Sequence, residues 1–377
     1  MRVAHVTSGL DRRAAGVGAV VEALSLEQLS LGHDVRVFGL ESSDWSRVDR
    51  FRWEGAPVEA LKVISWARSF GLSPGLRTAL SRFEPDIVHL HGLWMYPSVA
   101  VLQWHLRTGN PYIYSPHGML SPVALSYSKH KKRIARILFQ DKVIKRAAAL
   151  VASAAAEADD IRLFGLNDRV SIVPHGIHVS PVPPTFDVQN KSLLTLGRIH
   201  PVKNLHTLIE AWALLESKHT AWSLHIVGPD ECGHRSELQD LVAKLKLQRV
   251  TFRAAVDGNQ RNVSMASANL FVLPSRSENF ALTVAESLMM ETPVIATRGA
   301  PWSGLVDQKC GWWIEHGVDP LVAALDAAMS LPEDKRNAMG QRGRAWMLRD
   351  YSWESVANRM LSVYDDAIAQ RSVESTL

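Results

Sequence analysis

The chain has 377 residues, 46% of them hydrophobic and 21% charged, with a formal net charge of +4, a balance that excludes disordered and fibrous polymers. Its length exceeds what one core serves, so two domains are expected. Cys232 and Cys310 are too few for a disulfide framework and lack paired zinc spacing, which points to a reducing, cytoplasmic setting.

At the N-terminus the apolar run breaks at His5 and reaches Thr7-Ser8-Gly9 at once, so no secretory leader is expected. The longest lipid-compatible stretch, 147–156, is too short to span a bilayer. In chain order, β-rich runs at Arg2–Thr7, 34–38, Ile87–His91, Tyr112–Ser115, 150–153 and 171–174 alternate with helical patterns, the first over 17–31, a rhythm that predicts a parallel α/β sheet. Gly16-Val17-Gly18 opens that first helix. It is a partial dinucleotide fingerprint, because Val21 stands where the third glycine belongs. His117 follows a strand and a proline, which places it in a strand-end loop. His5, His33 and His105 have no such turn chemistry and are read as structural.

Residues 129–146 hold Lys129, Lys131, Lys132, Arg133, Arg136, Lys142, Lys145 and Arg146 against one acid, Asp141. Projected as one helix at about 100° per residue, Ile134, Ile137, Leu138, Ile144 and Ala148 gather on one face, with Lys129, Lys132, Arg136 and Arg146 opposite. Phe139 and Val143 fall among the cations, a mixture suited to an anionic membrane surface as much as to a plain solvated face. No recognition motif accompanies the cluster, so no nucleic acid is expected.

Three prolines without periodicity over 179–185 mark a linker. A second alternation follows, with strands at 193–197, 223–228, 250–254, Leu270–Leu273, Val294–Thr297 and 312–314, and a helical stripe of Leu205, Leu208, Ile209, Trp212 and Leu215. At the first strand end stand Arg198 and Lys203, fixed-charge phosphate binders where open α/β sheets place ligands. After the strand Leu270–Leu273, Ser275-Arg276-Ser277-Glu278-Asn279-Phe280-Ala281-Leu282-Thr283 leads into a helix whose start forms an anion site. Glu278 in the loop and Glu286 about two turns inside the helix suit hydroxyl donors, a sugar at one end and a ribose at the other. The structural alternative is a helix cap and a solvated carboxylate.

Together with Asp86-Ile87-Val88-His89-Leu90-His91-Gly92, His117-Gly118, Ile172-Val173-Pro174-His175-Gly176 and Thr292-Pro293-Val294-Ile295-Ala296, these motifs resemble the retaining glycosyltransferases of family four. That resemblance implies the GT-B fold, an α/β architecture of two Rossmann-like domains facing across a cleft. The N-terminal acceptor-side domain would cover 1–178, a linker 179–190, the C-terminal nucleotide-sugar domain 191–352, and a last helix over 353–377 would pack back towards the N-terminal domain.

The resemblance also implies roles. Arg198 and Lys203 bind donor phosphates, with Gly16, Gly18, Asn279, Phe280, Ala281, Leu282 and Thr283 around the diphosphate. Glu278 holds sugar hydroxyls, Glu286 the ribose, His117 a hydroxyl near the reacting centre, and His91 the acceptor side. The expected substrates are a UDP- or GDP-sugar and a saccharide or lipid-linked saccharide of cell-surface polysaccharide synthesis. Asn279 and Ala281 replace glycines frequent in the family, and His175 an asparagine. With no Asp-x-Asp pair, the leaving diphosphate is expected to be met by these cations and the helix start, with no metal or other cofactor. A non-hydrolysing nucleotide-sugar epimerase, a dinucleotide oxidoreductase and a non-catalytic binding module are the alternatives.

Overall fold

The computed structural model describes residues 1–10, 15–42, 44–45, 49–53, 55–183, 191–256 and 258–374. The chain divides into two compact units, Met1–Gly176 with Trp353–Leu377, and Ile177–Ser352. Of the expected linker, residues 184–190 lie outside the described residues.

The first unit is built on a seven-stranded sheet of β1 (Arg2–Thr7), β2 (Asp34–Leu40), β3 (Val58–Leu61), β4 (Ile87–His91), β5 (Tyr112–Ser115), β6 (Ala149–Ala152) and β7 (Val170–Ile172). Their order is β3-β2-β1-β4-β5-β6-β7 and all pairings are parallel. Only β3 has no counterpart among the expected strands, because its Val-Glu-Ala-Leu gives no readable alternation. Parallel strands are covered on both faces and so run apolar almost throughout. Ala4, Val6, Val88, Leu90, Tyr112 and Tyr114 pack one way, and Val3, Ile87 and Ile113 the other. That second face is covered by the helices Ala15–Ser30 and Trp353–Glu374, the latter through Val356, Met360 and Tyr364.

The second unit has β8 (Lys191–Leu196), β9 (Trp222–Val227), β10 (Val250–Arg253), β11 (Leu270–Leu273), β12 (Val294–Thr297) and β13 (Gly311–Ile314). They are parallel in the order β10-β9-β8-β11-β12-β13. This is the doubly wound order whose direction of winding reverses between the first and fourth strands and leaves a crevice at their carboxyl ends. The predicted stripe Leu205, Leu208, Ile209, Trp212 and Leu215 is buried on the helix Leu205–Leu215.

The basic segment departs from the single helix expected. Lys129–Ala135 and Asp141–Arg146 are α-helical, but Arg136–Gln140 between them is a π-helix. Its wider turn shifts the face by a residue, which a projection at one fixed angle cannot follow. Val143 and Ile144 are buried together, and Phe139 packs on Phe70 with ring centroids 5.7 Å apart. Ile134, Ile137 and Leu138, expected to share the face of Ile144, are instead 58%, 77% and 70% exposed. Gln140 anchors the wide turn, accepting from the Trp94 amide at 2.9 Å and donating to the Tyr114 hydroxyl at 2.9 Å. Among the described residues no helix is long and apolar enough to cross a membrane.

Candidate active site

In the second unit the expected site residues Arg198, Lys203 and Glu278 lie in the loops that follow β8 and β11. The Arg276 amide donates to the Val202 carbonyl at 2.9 Å, tying the loop after β11 to the loop after β8. The Glu278 amide donates to the Gly299 carbonyl at 2.7 Å, and the Thr297 hydroxyl to the Ser275 carbonyl at 2.6 Å, so β12 fixes the other side. These ties bring Lys203 Nζ to 2.5 Å from Glu278 Oε1, with side chains only 17% and 13% exposed. Arg198 pairs with Glu231 at 3.1 Å in a more exposed position.

The helix begins later than expected, at Leu282. Ala281 precedes it with φ +63° and ψ 65°, a left-handed conformation that costs an L-residue about 1 kcal/mol and blocks an earlier start. Ala281 thus holds a backbone conformation that glycine adopts without steric cost. Asn279 and Phe280 are therefore loop residues, and Glu286 sits little more than one turn inside the helix rather than two. Phe280 is buried against Trp302, whose Nε1 donates to its carbonyl, so the phenyl ring is core and only its backbone faces the loop. Leu282 and Thr283 form the first turn. Glu286 lies 2.6 Å from Arg261, and burial pushes its carboxyl up against the pull of that guanidinium.

Gly228, at the end of β9, has φ +155°, and a Cβ there would come within 1.7 Å of the Gly197 carbonyl oxygen beside Arg198. Gly228→Ala should therefore force β8 and β9 apart and destabilise the protein by about 2–3 kcal/mol, read as a lower denaturant midpoint.

In the first unit the sheet face under the two covering helices turns polar towards the strand ends. His5 of β1 pairs in register with His89 of β4, and His91 with Ser115 of β5. Side chains two apart on a strand share a face, so these groups meet. His5 Nδ1 lies 3.0 Å from His91 Nε2, and His91 Nδ1 3.0 Å from His117 Nε2. His5 Nε2 lies 2.8 Å from Gln28 Oε1, while His89 bonds the Tyr364 hydroxyl through Nδ1 at 2.8 Å and Ser115 Oγ through Nε2 at 2.7 Å.

His117 stacks on His175 with centroids 5.8 Å apart. Burial pushes His5 and His117 down to about 4 and His175 to about 3, and holds His89 and His91 well below the ordinary range. The rings of His5, His89 and His91 are close enough to share a metal ion, yet all six of their nitrogens already have a hydrogen-bond partner, so hydrogen bonding accounts for the group.

His117 and Gly118 are both left-handed, at φ 52° and 74°. Glu157 holds this turn, accepting from the Gly118 amide at 2.5 Å and from the Ser153 amide and hydroxyl at 2.8 and 2.7 Å. A cavity beside it is lined by His91, His117, His175, Ser153, Glu157 and Trp353. Gly16 and Gly18 lie in the first turn of the helix Ala15–Ser30, Gly16 exposed and Gly18 buried, and the loop before them falls outside the described residues. His5, read as structural in the sequence, is buried with both ring nitrogens bonded, one to His91 and the other to Gln28. His105 remains structural, bonded to the Asn110 carbonyl at 2.8 Å.

Two parallel sheets, each flanked by helices and with polar groups at its strand ends, define a protein of two Rossmann-like α/β units. Residues 15–176 match the family described as glycosyl transferase 4-like domain, and residues 181–346 match glycosyl transferases group 1. The chain belongs to the family-four, group 1 glycosyltransferases and has the GT-B fold. Among relatives, a D-inositol 3-phosphate glycosyltransferase of Salinispora tropica is 26% identical over 76% of this chain and 64% of its own length. An MMP alpha-(1->4)-mannosyltransferase of Mycolicibacterium hassiacum is 24% identical over 98% of this chain and 99% of its own. Anabaena Alr3699/HepE in complex with UDP superposes with a TM-score of 0.77 at 17% identity, over 97% of this chain and 100% of that one. These matches set the epimerase, oxidoreductase and binding-module alternatives aside.

Proposed function

We propose that the protein transfers a sugar, with retention, from a UDP- or GDP-sugar to a saccharide or lipid-linked saccharide in cell-surface polysaccharide synthesis. The observation that carries this reading is the Lys203–Glu278 pair at the β8/β11 switch point, with Arg198 beside it and the helix Leu282–Met289 beginning just beyond. Lys203, Arg198 and the amides around Asn279 to Thr283 meet the diphosphate, Glu278 the sugar hydroxyls and Glu286 the ribose. The UDP held by the Anabaena structure supports such a donor. Gly16 and Gly18 bound the diphosphate side of the first unit, His117 takes a sugar hydroxyl and His91 serves the acceptor side. Retention would follow from same-face substitution in which the departing phosphate takes the acceptor proton.

Two cations and a helix start meet the leaving-group charge without a metal. Incubation with a pool of nucleotide sugars in excess EDTA should consume one donor, identified by mass spectrometry. Loss of all turnover that Mg²⁺ restores would overturn the metal-free reading.

The acceptor would be reached at an anionic bilayer surface. Val123, Tyr127, Ile134, Ile137 and Leu138 are exposed along the segment that also exposes Lys129, Lys131, Arg133, Lys142, Lys145 and Arg146. Each cation near such a surface contributes about 1 kcal/mol, screened by salt. Lys132 is less suited, since its Nζ donates to the Ala124 carbonyl and lies over Trp94. The protein should sediment with anionic vesicles at low salt, and Ile137→Ser combined with Leu138→Ser should release it. Indifference to vesicle charge would refute the membrane reading.

A further inference from the structure

The register of β1 and β4 makes a line of rings running from the interior of the first unit to His117. Its inner end is Gln28, fully buried, whose Nε2 donates to the Tyr364 hydroxyl at 3.3 Å and whose Oε1 therefore faces His5 Nε2. A neutral imidazole has one N–H and one bare nitrogen, and each contact needs one of each. Because Gln28 Oε1 can only accept, His5 carries its proton on Nε2 and leaves Nδ1 bare. His91 must then donate through Nε2, which leaves its Nδ1 bare for His117 Nε2–H. The same tautomer is passed along three rings unchanged. Burial keeps the rings neutral at ordinary pH, so no link carries a second proton.

The outer end of the line is His117 Nδ1, which takes no hydrogen bond among the described residues. We propose that Gln28 is a positioning residue: through His5 and His91 it holds His117 as the Nε2–H tautomer, with Nδ1 left as an acceptor for a ligand hydroxyl. The ligand half of this statement rests on the reading of His117 as a partner of a sugar hydroxyl; the tautomer half stands on the free protein alone. A bare nitrogen selects a group that donates, such as a hydroxyl, and disfavours one that only accepts. The opposite tautomer would invert that preference. His89 stands outside the line, because both its nitrogens are taken by Tyr364 and Ser115.

The test is long-range proton–nitrogen NMR of protein labelled with ¹⁵N-histidine near neutral pH, with rings assigned through single histidine substitutions. His5, His91 and His117 should all show a protonated Nε2 and a bare Nδ1. A protonated Nδ1 on His117, or different tautomers along the line, would overturn the proposal even if Gln28 variants do not fold. Gln28→Leu should give His117 mixed tautomers and slow turnover by about tenfold, the equivalent of one neutral hydrogen bond, with nucleoside diphosphate affinity kept. Gln28→Glu, which still accepts from His5, should restore the single tautomer and the rate. Unchanged His117 signals and turnover in Gln28→Leu would also sink the idea. If the tautomers are as expected but His117→Ala transfers sugar normally, the sugar-hydroxyl reading fails and the tautomer relay stands.

Discussion

Glu278→Gln is expected to slow turnover by about 10²–10³-fold while leaving nucleoside diphosphate affinity unchanged or raised. In the free protein Glu278 neutralises Lys203 at 2.5 Å in a largely buried pair. Glutamine keeps an oxygen for the ammonium to donate to but removes the negative charge, so more of the Lys203 charge is available to a diphosphate. The sugar is affected oppositely. As its ring becomes electron-poor in the transition state its hydroxyls become stronger donors, and a carboxylate gains more from that change than an amide does. Glu286→Gln should show the reverse pattern. It loses an ion pair with Arg261 at 2.6 Å and, on the proposed assignment, a ribose contact that hardly changes during transfer, so affinity should fall while the rate at saturation stays near normal. Calorimetry with a nucleoside diphosphate, set against saturated turnover, separates the two. Weak binding with normal turnover in Glu278→Gln would exchange the sugar and ribose ends.

The residues of the second unit were legible because their positions follow from local rules. Strands announced by short apolar runs lead into Gly197-Arg198 and Ser275-Arg276, and a doubly wound sheet sends both ends to one crevice. What those residues touch was not legible. Glu231 and Arg261, the partners of Arg198 and Glu286, sit on the loop after β9 and the helix Gly258–Ala266. Neither segment has a motif, and long-range pairing leaves no trace in spacing. The helix starts later than expected because the left-handed Ala281 stops it.

The first unit shows a different failure. His5 is structural in the sense expected, buried and fully bonded, but a polar residue on a central parallel strand must find a buried partner, and which one was not read. Set in register against His89 and His91, two apart on the adjacent strand, it could have been read as one of a group. Gln28 offered a weaker signal, an amide within a helix that is otherwise largely apolar. The π-helix at Arg136–Gln140 left none, and the bonds that anchor its end, from Gln140 to Trp94 and Tyr114, are tertiary.

Glu157 was also missed, and its replacement should have the second large effect. It lies in the first turn of the helix Ala155–Phe164, 4% exposed, and all three of its partners are donors: the Gly118 amide, the Ser153 amide and the Ser153 hydroxyl. Only a carboxylate offers two accepting oxygens there. In Glu157→Gln the amide nitrogen must face either Gly118 or Ser153, donor against donor, and strand one buried N–H. The favourable charge at the helix start is lost as well. Together these changes should destabilise the protein by about 3 kcal/mol. The consequence for the site is larger than the stability loss alone, because the Gly118 amide bond holds the left-handed His117–Gly118 turn. Turnover should therefore collapse at temperatures where the variant is still folded. A denaturation midpoint and a rate measured well below it read the two effects separately. A Glu157→Gln protein as stable as the parent would show that the turn holds itself.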